Sequence, residues 1–254
     1  MFKKFVLLML ILGISTGLAS AETIKICTDR SNWYPFTFRA KGNPAGIHVD
    51  IATKALVKLG YQPVFTPMAW KECIDKTGVG TYDALVSGSY KAKRAQSLVY
   101  PPDAATTVKS KWRIMQVEYV LVTSVTNSYK YNGDVKTLPI PVRAPLGYSI
   151  VDDLRAKGLK VITNDTKRNL KSIDRLQQGC VITPPENANR LIKELELEDR
   201  LKIHAKPVKS KSYFMLFSKK AKNFSQPEME KIWDEIAKLR DDEQFMKQLF
   251  ERYD

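Results

Sequence analysis

A strand–helix alternation that runs, breaks off and restarts is the strongest constraint on what this chain can fold into. Thr23 to Cys27 is β-prone. Ile47, Ile51, Ala52, Ala55, Leu56 and Leu59 then recur at helical spacing until Gly60 stops the run. Gln62 to Thr66 reads as a strand, Trp70 to Lys76 as a short helix, and Tyr82 to Ser87 as a third strand. This order calls for a parallel sheet with helices on its faces. The pattern restarts at the β-branched run from Val117 to Thr123. Strands over 140–143, 159–163 and 180–183 then alternate with helices over 150–157, 166–178 and 186–197. Ser212 to Phe217 is another apolar strand, and two helices close the chain. The first of these opens with Ser225 and Glu228 spaced as a capping box, with Pro227 in its first turn. No Gly/Ser linker separates the two α/β units, and β-rich stretches over 113–124 and 207–218 flank the second. One unit set inside the other, joined by a pair of crossing strands, is the arrangement expected.

The first 21 residues stand apart from this pattern. Lys3 and Lys4 precede an apolar run from Phe5 to Ile14, and Ala19-Ser20-Ala21 offers the small residues that signal peptidase reads. A signal peptide cleaved after Ala21 and a periplasmic location are expected. No later apolar run approaches the ~18 residues of a membrane-spanning helix. In an oxidising compartment, three cysteines suggest one disulfide and one free thiol. A zinc site has no CxxC to build on and only His48 and His204 to add, so no metal or cofactor is expected. The same scarcity of histidine argues against a Ser-His-Asp triad. The net charge of +14, two of it from Lys3 and Lys4, favours anionic ligands or membrane surfaces only weakly. An exported chain without an RNA-binding motif is not expected to bind nucleic acid.

Short motifs in a fixed order then carry a resemblance. Cys27-Thr28-Asp29 leads to Trp33-Tyr34-Pro35-Phe36, and Gly46-Ile47-His48-Val49-Asp50 opens the first helix. Trp70-Lys71-Glu72-Cys73 precedes Gly80-Thr81-Tyr82-Asp83-Ala84, then Ser87-Gly88-Ser89, Arg94 and Tyr100-Pro101. Gly147-Tyr148-Ser149 opens the first helix of the second unit. Over nearly the whole mature chain this order resembles the bacterial periplasmic solute-binding proteins of family 3, the amino-acid-binding type of ABC importers. The resemblance implies a two-lobed α/β fold (type II), two doubly wound sheets joined by a two-strand hinge. It implies lobe one over 22–113 with 218–254, and lobe two over 118–206. The ligand would lie between them, because open α/β sheets bind beyond the carboxyl ends of their strands.

Residue roles follow from the same resemblance. Arg94 matches the arginine that grips a ligand carboxylate, which suits a planar guanidinium fork. Ser87 and Ser89 would add donors, and Trp33 and Trp70 would supply aromatic walls. Gly147 and Ser149 would offer helix N-terminal amides. The family's lobe-two Gly-Arg-x-Asp-Ala is replaced by Gly179-Cys180-Val181-Ile182-Thr183-Pro184-Pro185-Glu186, so Glu186 is the nearest carboxylate left for the ligand's ammonium. Cys27 and Cys73 fall on neighbouring elements of lobe one and are expected to pair, leaving Cys180 free. The partners implied are a small amino-acid-like carboxylate and an inner-membrane ABC permease, with the protein a monomer. Two alternatives share the fold: a cyclohexadienyl-dehydratase-like enzyme, and a sensor or accessory protein without transport.

Overall fold

The computed structural model describes residues 21–31 and 33–253. The leader expected over 1–21 lies, apart from Ala21, outside the described residues. The chain opens with β1 (Glu22–Asp29), a hairpin of β2 (Phe38–Ala40) and β3 (Asn43–Ala45), and α1 (Ile47–Lys58). Then come β4 (Tyr61–Met68), α2 (Trp70–Gly78), β5 (Ala84–Ser89) and the short β6 (Leu98–Val99). The long β7 (Met115–Ser124) leads into β8 (Val142–Pro145), α3 (Ser149–Ala156), β9 (Val161–Asn164) and α4 (Thr166–Leu176). Next are β10 (Cys180–Thr183), α5 (Pro185–Glu194), β11 (Leu201–Ile203) and β12 (Lys209–Ser218). The chain ends in α6 (Gln226–Asp241) and α7 (Glu243–Arg252).

The strands lie in the order β4-β1-β5-β12-β7-β10-β8-β9. In the first half, β1 runs parallel to both β4 and β5. In the second, β8 runs parallel to both β9 and β10. The halves meet where β12 and β7 pair antiparallel, from Lys209 opposite Tyr119 to Tyr213 opposite Met115. This pair is the two-strand hinge of a two-lobed α/β fold, built from the two β-rich flanks seen in the sequence.

Burial explains the layers. α1 hides Ile47, Ile51, Ala52, Ala55 and Leu56 under β4 and α6. It can start where it does only because Gly46 has φ 118°, and a Cβ there would lie 2.4 Å from the Phe36 carbonyl oxygen. α6 packs Trp233 into the same core, where its Nε1 donates to the Met215 carbonyl at 2.8 Å. The far face of the first sheet buries Cys27, Met68, Cys73, Leu85, Phe214 and Leu216. Cys27 and Cys73 are disulfide-bonded across this layer, with Cα atoms 5.6 Å apart, and Cys180 is free and buried. Among the described residues no helix is long and apolar enough to cross a membrane.

Candidate functional site

Strands β1 and β5 end side by side, facing the loop before α3. The register sets Ile26 beside Ala84 and Cys27 beside Leu85. Continued two residues, it brings Asp29 beside Ser87. Around these ends a cavity is lined by Asp29, Trp33, Thr37, Trp70, Val86, Ser87, Ser89, Arg94, Tyr148, Ser149 and Tyr213. It spans about 380 Å³ of space between atoms, of which about 20 Å³ admits the centre of a water molecule. One water needs about 10–15 Å³ by this measure, so a larger solute enters only when the walls part.

Arg94 sits in a 3-10 turn just after β5 and is 7% exposed. Its guanidinium lies over the Trp70 ring, 5.3 Å from the centroid. It donates to the Ser89 carbonyl at 3.1 Å and, across the cleft, to the Gly147 carbonyl at 3.2 Å. The Tyr100 hydroxyl donates to the same Ser89 oxygen, and burial pushes its pKa up to about 12. Gly147 has φ 79°, which presents its carbonyl to the arginine in a conformation that L side chains resist. Beside it, the Ser149 hydroxyl shares a 2.7 Å hydrogen bond with that of Ser89. Lys91 pairs with Asp152, and Lys211 pairs with Asp153 at 2.5 Å. These contacts hold the Ser149–Ala156 helix against the first half.

Four aromatic rings wall the cavity. Trp33 packs 5.1 Å from Tyr213 and 6.1 Å from Tyr148, with His48 and Phe36 behind it. Tyr213 is in turn fixed by a 2.5 Å hydroxyl contact with Tyr119 across the hinge. Asp29 is 7% exposed and accepts one hydrogen bond, from the Ser31 backbone N–H at 2.9 Å. Burial raises its pKa above the usual aspartate value, against the lowering effect of Ser31 and Arg30. Its charge and burial together push the Tyr148 hydroxyl well above the usual tyrosine range. No basic side chain forms an ion pair with Asp29, and no acid with Arg94, among the described residues. Trp33 Nε1, Thr37 Oγ1 and Ser87 Oγ are buried in the same walls without a hydrogen-bond partner.

The structure thus brings Trp33, Trp70, Ser87, Ser89, Arg94 and Ser149 to one cavity, with Gly147 at its edge. Glu186 is not brought there. It stands in the first turn of α5, outside the lining, where burial and the nearby Glu118 raise its pKa. Asp29, Thr37, Tyr148 and Tyr213 are wall residues that the motifs did not single out. Asp29 and Tyr148 lay inside quoted motifs and Thr37 followed one. Nothing local marks Tyr213. Two roomier grooves share Asp153 and Lys209 on another face. Asp153 is already paired with Lys211, and no unpartnered buried polar side chain lines either groove.

A family model described as bacterial extracellular solute-binding proteins, family 3, matches residues 24–253. The fold is similar to that of a histidine kinase sensor domain with similarity to periplasmic binding proteins. That match has a TM-score of 0.73 and 18% identity, covering 92% of this chain and 96% of that one. An ancestral arginine-binding protein bound to arginine gives a TM-score of 0.68 at 18% identity, covering 92% and 99%. The L-cystine solute receptor of Neisseria gonorrhoeae, unliganded and open, gives 0.59 at 18% identity, covering 92% of each chain. No curated protein matches the chain significantly.

Proposed function

Because this chain belongs to the bacterial extracellular solute-binding proteins of family 3, we propose that it captures a small, carboxylate-bearing, amino-acid-like solute between its two lobes, in the periplasm, for an inner-membrane ABC importer. The observation that carries this reading is the Arg94 guanidinium, buried in the cleft against Trp70 and unmatched by any protein carboxylate. A planar fork so placed suits a carboxylate, which it can bind bidentately. Ser89 and Ser149 face each other beside it and can turn their hydroxyls toward a bound anion. The small cavity favours a compact solute, and its aromatic walls favour one that is partly apolar. The named solutes of the similar proteins, arginine and L-cystine, are of this class.

A sensor role is the second reading. Its support is the likeness to a kinase sensor domain. The dehydratase alternative relied on Glu186 as a poised carboxylate, and Glu186 lies outside the cavity lining.

Arg94→Ala, followed by isothermal titration against amino acids and small dicarboxylates, tests the reading. Loss of the fork should cost about 2–5 kcal/mol of binding, or roughly 30- to 5,000-fold in Kd. Arg94→Lys should recover only part of this, because it lacks the fork. Unchanged affinity in a folded Arg94→Ala variant rejects the reading.

A further inference from the structure

The cavity carries a second charge, and its surroundings describe what would neutralise it. Asp29 is a buried carboxylate with no cationic partner, and it touches the protein through one backbone N–H. Continuing the β1–β5 register sets Ser87 beside it, and Ser87 Oγ is buried without a partner. Thr37 Oγ1 lies in the same wall and is also unpartnered. Thr37 is only 2% exposed, and Ser87 5%. An unmet polar atom in a dry wall is costly unless a ligand or water meets it. Here the unmet set is one carboxylate and two hydroxyls, all able to accept. A primary ammonium has three N–H donors and no acceptor. Trp33 Nε1, the fourth unpartnered atom, is donor-only and suits an acceptor oxygen of the solute.

We infer that Asp29, Thr37 and Ser87 form a primary-ammonium subsite, so that the first half of the fold holds both charged ends of the solute and no acid of the second half is needed. The assignment rests on the reading that Arg94 takes the carboxylate. The three-acceptor set also selects a degree of substitution. A trimethylated nitrogen has no N–H to give, so it would leave both hydroxyls unmet despite the aromatic walls.

The test is titration calorimetry with glycine, L-alanine, L-arginine, L-glutamine, β-alanine and 4-aminobutanoate. The tightest binder is compared with its deaminated acid and its N,N,N-trimethyl derivative. Wild type should bind the primary amine about 10- to 150-fold tighter than either analogue, the worth of one charged hydrogen bond. D29N should remove most of that advantage while leaving the deaminated acid's affinity unchanged, a difference that general damage to the fold would not produce. S87A and T37V should each erode the same advantage and provide the test if D29N does not fold. The deaminated acid binding as tightly as the amine overturns the subsite and leaves the Arg94 carboxylate anchor standing. So does E186Q weakening the amine as much as D29N does. No binding of any member to wild type overturns the solute reading and the subsite together.

Discussion

His48 shows how far burial alone can set a residue's chemistry. The ring is fully buried, stacked 5.0 Å from Phe36 and edge-on to Trp33 at 5.4 Å, with neither nitrogen hydrogen-bonded. Burial lowers its pKa from 6.5 to about 3, so the folded protein holds it neutral. The unfolded chain takes up a proton below pH 6.5 and the folded chain does not, so stability falls as pH drops from 6.5 towards 3. Between pH 7 and pH 5 this one residue should remove about 2 kcal/mol of stability. His48→Phe keeps a ring against Trp33 and should flatten that stretch of a pH series of urea midpoints. An equally steep series in the variant would show that other groups set the slope. The sequence could suggest that His48 was structural, because it opens a helix. It could not show that the ring backs the cavity wall.

At the scale of elements, the long periodic segments were legible and the short ones were not. α1, α2, α3, α4 and β10 lie within about two residues of where apolar spacing puts them, because burial of one face is written locally. β2, β3, β6 and β11 have two or three residues each, too few to show a period. They exist because a neighbouring strand offers hydrogen bonds, as β12 does to β6 and β7 does to β11. The Cys27–Cys73 bond ties β1 to α2 and closes a loop with a sequence separation of 46. On the chain-entropy view, removing it in Cys27→Ala/Cys73→Ala should cost about 4 kcal/mol. Chemical denaturation of the double variant measures this, and a loss under about 1 kcal/mol would show that the packed layer alone holds α2 in place.

For the whole molecule, we place the lobes at 22–113 with 218–254 and at 118–206, moving about the β7–β12 pair. Their facing surfaces meet through Ser89–Ser149, Arg94–Gly147, Lys91–Asp152 and Lys211–Asp153. Surface ion pairs are worth only about 0–1 kcal/mol each, so these contacts bias closure without locking it. A solute touching both lobes adds contacts that exist only when they are shut, and so shifts the population towards closure. Two long strands can absorb such a motion through small changes per residue. Small-angle scattering should therefore show a smaller radius of gyration at saturation with the tightest-binding solute. An unchanged radius would reject lobe closure.

The sequence by itself determined the layers, their order and the division into two α/β units, because apolar period and turn residues act over a few positions. It also placed Arg94, Trp33, Trp70, Ser87, Ser89 and Ser149 where chain order brings them to strand ends and a helix start. Which polar groups face one another was decided only by the tertiary structure. Ser89 and Ser149 are 60 positions apart, and Tyr119 and Tyr213 are 94 apart. Asp29 meets Ser87 through strand register, Tyr213 reaches Trp33 because β12 crosses β7, and Glu186 stays outside because α5 begins away from the cleft. Such meetings depend on how whole sheets twist and dock, and no local pattern of side chains encodes them.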